Sequence, residues 1–189
     1  MSKYAIKSLL FTAMCLFCAV SLFANNTVTV KSGKASVLRE SAKAFLEIDY
    51  AATKVGDQTL DEYLEMRGEN FVKNWPNDIA FAAKYFKDRF NKKNKGLKTA
   101  PDESTVSYKI IIHINHLNMG NSGSAFVPMA SSKAGGIVMT GTVDIVDVKT
   151  NEVVCTLDVY QVKGVKHVSA NVRMGLMFME LATKMCALK

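Results

Sequence analysis

The stretch VSYKIIIHIN, residues 106–115, decides the fold of this chain. Its apolar side chains recur at every second position, namely Val106, Tyr108, Ile110, Ile112 and Ile114. This period of two predicts a β-strand with one face packed on a core. Two further runs rich in valine and isoleucine follow at 137–148 and 153–162, joined by four polar residues. That spacing predicts an antiparallel hairpin directly after the first strand.

Upstream of this stretch, residues 44–51 alternate in the same way and predict another strand, while residues 25–36 fit either a loose leader or an edge strand. Thr59 and Glu62 form a capping-box pattern that predicts the start of a helix. The apolar positions of this helix recur near helical spacing at Leu60, Tyr63, Leu64, Phe71 and Trp75. Pro76 is expected to break or restart that helix. A final helix is expected from about residue 168, with a buried side formed by Val172, Leu176, Met179, Leu181 and Met185.

The predicted order is therefore β-α-α-β-β-β-α. Strands that follow one another without intervening helices favour an antiparallel sheet, and helices that are grouped apart from them favour an α+β fold. We expect a mainly antiparallel sheet of four to five strands, with the helices packed on one face. Residues 25–189 are long enough for one domain with its own core.

Residues 1–24 have the composition of a cleavable signal peptide, with Lys3 and Lys7 before an apolar run and small residues at its end. Cleavage after Ala24 is expected, with a cut after Ser21 as the alternative. The apolar run is shorter than the roughly 20 residues that span a bilayer. The sequence thus predicts a periplasmic or secreted protein.

Removal of residues 1–24 lowers the net charge from +7 to +5, because two lysines and no acids are lost. Such a mild and dispersed positive charge does not predict a nucleic-acid partner. It is compatible with an acidic partner or with contact to an anionic membrane surface. Cys155 and Cys186 are the two cysteines left after cleavage, and either a disulfide between them or two small buried thiols fits the sequence.

Few patterns in the chain indicate a catalytic or metal-binding site. His113 and His116 are three apart on a predicted strand, so on a regular strand they face opposite sides and cannot share a metal. No nucleophile elbow and no papain-like cysteine surroundings are present in the sequence. Asp144 and Asp158 are expected on the solvent side of their strands. We therefore predict no catalytic residue, no metal and no cofactor, and expect the protein not to be an enzyme.

A long segment at residues 118–136 is rich in glycine, serine and alanine. Loops of this length inside a compact domain are often functional. Its apolar insert consists of Phe126, Val127, Pro128 and Met129, which either pack back onto the core or contact a partner or a membrane.

Three stretches resemble a family of small exported proteins of Gram-negative gut bacteria that has no established activity: FNKKNKGLK (90–98), GNSGSAFVPMASSKAGG (120–136) and DVKTNEVVC (147–155). The element order is also similar to the periplasmic α+β domains at the N-terminus of TolB and in curli-secretion-type envelope lipoproteins. This resemblance implies a role in binding or assembly in the cell envelope, although the chain differs from the lipoproteins in lacking a convincing lipid-attachment cysteine.

Two functions remain open from the sequence. The first is a non-enzymatic envelope protein that binds a protein partner through an open sheet edge and the 118–136 loop. The alternative is a small-ligand carrier or enzyme with a cleft between that loop and the sheet, involving His113, His116 or His167. The sequence does not determine the oligomeric state or the identity of the partner.

Overall fold

The structure, a computed structural model, describes residues 27–120, 135–166 and 169–188. Within these ranges, three α-helices and eight β-strands give the α+β fold that the sequence predicts. The elements, in chain order, are β1 (Thr27–Gly33), β2 (Lys43–Asp49), β3 (Lys54–Val55), β4 (Gln58–Thr59), α1 (Leu60–Arg67), α2 (Glu69–Lys93), β5 (Lys98–Ala100), β6 (Tyr108–Asn118), β7 (Val138–Asp147), β8 (Glu152–Lys163) and α3 (Ala170–Met185). Two short 3-10 turns follow β1 and β5.

All eight strands belong to one mixed sheet with the spatial order β1-β8-β7-β6-β2-β5. The run from β6 through β7 and β8 to β1 is antiparallel. In contrast, β2 pairs parallel with both β5 and β6. The helices α1 and α2 supply the crossover that parallel β2 and β6 require. Beyond the end of β2, the small β3–β4 ribbon continues the pairing along β6.

The core lies between the sheet and the helices, as the burial of alternate strand residues shows. On β6, Ile110, Ile112 and Ile114 are buried while the residues between them are partly exposed. The long helix α2 presents Phe86 and Phe90, whose stacked rings lie 5.5 Å apart, to this core. The prediction that the sheet carries its helices on one face agrees with these burial patterns.

The predicted count of four to five strands is wrong, because the described part of the sheet already has eight. The additional strands are β3, β4 and β5, which are two or three residues long. Strands this short are held by pairing with longer neighbours and have too few residues to show a period of two. The edge-strand alternative for residues 25–36 is confirmed by β1.

The expected break at Pro76 is also wrong, since α2 runs through this residue from Glu69 to Lys93. The helices are instead separated at Gly68, whose φ of 101° is open to glycine and strained for other residues. Pro76 removes one amide that would donate to the carbonyl of Val72, and Val72 lies on the exposed side of the helix. Helix α1 starts at the predicted capping box, with the Glu62 amide 3.2 Å from Thr59 Oγ1.

Candidate functional site

The side chains that point away from the helices form a surface across β2, β6, β7, β8 and β1, which we call the open face. They alternate along each strand with the buried core residues, and most of them are polar. Cross-strand pairing on this face joins Asp49 to His113, and Thr142 to Asp158. Asp144 and Asp158 thus lie on the solvent side of the hairpin, as the sequence predicts.

Four residues form a continuous polar row across the open face, which we call the polar row: Asp49, His113, Asp144 and Thr156. His113 Nδ1 lies 2.8 Å from Asp49 Oδ2, and its Nε2 lies 3.3 Å from Asp144 Oδ2. The Thr156 hydroxyl donates to Asp144 Oδ1 at 2.7 Å. The row therefore links four neighbouring strands through side chains as well as through backbone hydrogen bonds.

The imidazole of His113 has a carboxylate at each nitrogen, and it can donate to both only when it is protonated. The hydrogen bond from His113 is the main reason that the pKa of Asp49 lies below its ordinary value. Nδ1 is hydrogen-bonded to Asp49, Nε2 lies next to Asp144, and the Thr156 hydroxyl bonds Asp144 instead of the ring. His113 is therefore held between two carboxylates from neighbouring strands.

His113 and His116 lie on the same face, which corrects the expectation that they point in opposite directions. On β7, Gly141 pairs with Ile114 and the preceding Thr140 pairs with His116, so that Asn115 is an extra residue on β6. This β-bulge shifts the alternation by one position. Among the described residues, no group of three or more histidine, cysteine, aspartate or glutamate side chains is arranged to hold a metal.

A half-open groove of about 560 Å³ lies where β6 ends and β7 begins, next to the β3–β4 turn. His116, Asn118, Thr140 and Gln161 contribute its polar side chains, and His113 is not part of it. Its lining includes Asn118 and Met119, at the start of the 118–136 segment beside which the sequence alternative puts a cleft. The described lining includes no serine or cysteine.

Several predicted features fall outside the described residues. These are the signal peptide, His167 and the four loop residues Phe126, Val127, Pro128 and Met129. Both described ends of the loop, at Gly120 and Gly135, lie close to the helical layer, because Gly120 lines a cavity there and the Gly135 carbonyl accepts a hydrogen bond from Arg173.

The structure contains Cys155 and Cys186 as free thiols, so the disulfide alternative is not formed in it. Cys155 is on β8 facing the core, and Cys186 caps α3. A helix packs about 10 Å from a sheet, whereas a disulfide needs Cα atoms within about 7 Å. Burial raises the pKa of Cys155 and raises that of Cys186 to about 11. Both are therefore neutral thiols at neutral pH.

Sequence reasoning missed two polar groups in the helical layer, Trp75 Nε1 and Arg173 Nε. Both atoms are buried and have no hydrogen-bond partner among the described residues. The sequence interpretation placed Trp75 in an apolar stripe and did not single out Arg173. Arg173 lies four residues before Met177 and eight before Leu181, on the same side of the helix, and all three residues are buried.

Comparisons with known proteins do not identify a function for this chain. No protein-family model matches the chain, and no curated protein does. Among solved structures, the chain is similar to the PelC dodecamer from Paraburkholderia phytofirmans, with 14% identity and a TM-score of 0.43 over 86% of this chain and 98% of that one. It is also similar to a single-substitution variant of that protein, with 14% identity and a TM-score of 0.40 over 87% and 99% of the two chains. Within the described part, no helix is long and apolar enough to cross a membrane.

Proposed function

We propose that this chain is an exported, non-enzymatic binding module that engages a protein of the cell envelope through the free edge of its sheet. The observation that carries this proposal is the position of β1, which pairs with β8 on one side only and ends the described sheet. Its residues 29–33 are exposed. The outer backbone groups of such a strand can pair with an extended segment of another chain.

The surroundings of β1 favour a partner of a different sequence over a second copy. Lys31 is the extra residue at a bulge between Val30 and Ser32. Bulges and lysines on an edge strand oppose pairing between identical edges. Because Lys31 and Lys34 are both exposed, an extended segment with acidic side chains is the expected partner.

The open face supports binding in preference to catalysis. Thr29 of β1 pairs with Asp158 of β8, so that the edge continues directly into the open face. The polar row keeps the middle of that face rigid, since each of its carboxylates has a hydrogen-bond partner. A rigid polar face beside a free edge offers a large contact area with little loss of side-chain freedom on binding.

Export is part of the proposal and rests on the composition of residues 1–24. Cleavage after Ala24 would place β1 at the start of the mature chain, two residues after the new N-terminus. The expected location is the periplasm or the cell exterior, and N-terminal sequencing of the protein from fractionated cells tests this.

The edge proposal is tested with two exposed valines in different layers of the fold. Val30 on β1 is 41% exposed, and Val72 on α2 is 46% exposed. We expect Val30→Asp to abolish capture of a specific protein from native envelope extract, because aspartate disfavours strand pairing and repels acidic side chains. Val72→Asp is the matched control and should retain capture. Equal capture by both variants, with unchanged circular dichroism, would contradict the proposal.

A further inference from the structure

A small, partly open cavity lies between α1, α2 and α3, on the opposite side of the sheet from the open face. Its volume is about 70 Å³, roughly twice the 30 Å³ that one water occupies in the liquid. Most of its walls are apolar or aromatic, and they include Tyr63, Leu64, Phe71, Trp75, Met119 and Met174. An apolar cavity of this size has room for a carboxylate group with a short carbon chain.

Two residues that line the cavity each carry a buried hydrogen-bond donor with no acceptor in the described part of the chain. Trp75 is 4% exposed and Arg173 is 3% exposed, and the indole Nε1 and the guanidinium Nε are both without a partner. The Arg173 side chain has one hydrogen bond among the described residues, from Nη1 to the Gly135 carbonyl at 3.3 Å. Leaving a buried donor unsatisfied costs free energy, so two of them in one cavity require an explanation.

Both orphaned groups are donors only, which determines the charge of the ligand that would satisfy them. Burial lowers the pKa of Arg173, but a guanidinium keeps its charge at any ordinary pH. No ion pair joins Arg173 to a carboxylate in the described residues. An anion that accepts from both groups would therefore compensate a buried charge as well as two hydrogen bonds.

The other charged groups around the cavity are consistent with a monovalent anion. Arg67 lines it and lies over the Phe71 ring, 4.6 Å from the ring centroid. Asp78 is the one acidic residue among the described lining residues, and burial raises its pKa. Two arginines and one aspartate leave the lining with an excess of one positive charge.

We propose that this cavity binds the carboxylate of a small organic acid, with Arg173 and Trp75 as its hydrogen-bond donors. The apolar walls take the short carbon chain of the acid. They also disfavour sulfate and phosphate, which carry more charge and lose more hydration on entering an apolar site. The proposal is independent of the β1 edge, because the two sites lie on different layers of the fold.

The test is titration calorimetry of the mature protein with acetate, propionate and butyrate, with chloride and sulfate at matched ionic strength as references. Saturable binding of at least one carboxylate, with none for sulfate, is the expected result. Trp75→Phe removes the Nε1 donor while keeping an aromatic ring and should weaken binding about tenfold or more. Thr99→Val is the matched control, because Thr99 Oγ1 is a buried unpartnered oxygen outside the cavity. It should bind like the wild type.

A second variant covers the case in which Trp75→Phe does not fold. Arg173→Met keeps the long side chain and removes the unpaired charge, so it should abolish binding without lowering the free energy of unfolding of the ligand-free protein. No saturable binding of any carboxylate by the wild type would overturn the proposal. Equal binding by wild type and Arg173→Met, or a preference for sulfate, would overturn it as well.

Discussion

Gly141 is the residue on which the geometry of the open face depends, and its replacement by alanine gives the sharpest stability prediction. A Cβ atom at position 141 would lie 2.0 Å from the carbonyl oxygen of His113 and 3.3 Å from the amide nitrogen of Asn115. Both atoms belong to the bulged part of β6, which the bulge brings close to β7. A glycine at this position therefore allows the bulge, and the bulge places His116 on the same face as His113.

The cost of Gly141→Ala can be worked out from this contact. Non-bonded carbon atoms are at their optimum at about 3.5–4.0 Å, so one of the two strands has to move by more than about 1 Å. Overpacking of this kind costs about 1–3 kcal/mol, and each strained ladder hydrogen bond adds about 0.5–1.5 kcal/mol. We expect a loss of about 3 kcal/mol in the free energy of unfolding, a large part of the stability of an ordinary domain.

Urea denaturation monitored by circular dichroism measures this loss in the free energy of unfolding. Gly56→Ala is the matched control, because Gly56 has a φ of +65° but no atom within 4 Å of the place that a Cβ would occupy. It should cost only about 1–2 kcal/mol, from the left-handed backbone conformation. If Gly141→Ala cost no more than Gly56→Ala, the close approach of β6 and β7 and the bulge that depends on it would be refuted.

Three further predictions concern other parts of the molecule. The hydrogen bond from His113 lowers the pKa of Asp49. The ionised Asp49 carboxylate therefore stabilises the folded state above its unfolded-state pKa, and this stabilisation is lost as the pH falls through the folded-state pKa. The difference in unfolding free energy between wild type and Asp49→Asn, less than about 1 kcal/mol for this half-exposed pair, should therefore shrink as the pH falls below the ordinary carboxyl pKa of 3.8; a constant difference would contradict this. Mass spectrometry after alkylation in urea should find Cys155 and Cys186 both labelled in the mature protein, whereas an unlabelled product would reveal a disulfide. Deletion of residues 120–132 should leave cooperative unfolding intact and abolish co-purification of an envelope partner, and an unchanged partner profile would argue against a role for the loop.

Much of the sheet follows from the sequence because its long strands have a clear period of two. The alternation in VSYKIIIHIN places Ile110, Ile112 and Ile114 on the core side, where the structure has them. The bulge at Asn115 could not be predicted in this way, because it depends on contact with a glycine more than twenty residues later. The predicted faces of His113 and His116 were wrong for this reason alone.

The helical layer shows a second limit of sequence patterns. The buried side of the final helix was predicted correctly at Leu181 and Met185. Val172, Leu176 and Met179 were also expected there, but they are partly exposed, and the buried stripe is rotated to include Arg173. Hydrophobicity assigns an arginine to solvent, so the pattern turns the helix the wrong way. Packing against α2 decides the orientation, with the Gly175 Cα next to the Tyr85 ring. The orphaned donors that define the proposed anion site are visible only after this packing is known.

Pairing of an envelope protein with the free edge of β1 can be tested directly by site-specific photo-crosslinking in living cells. A photoreactive residue is placed either at position 30 on the edge strand or at position 72 on the helical layer. We expect one discrete crosslinked product from position 30 and none from position 72, with the product recovered in the envelope fraction. The same products from positions 30 and 72, or no product from position 30, would contradict it.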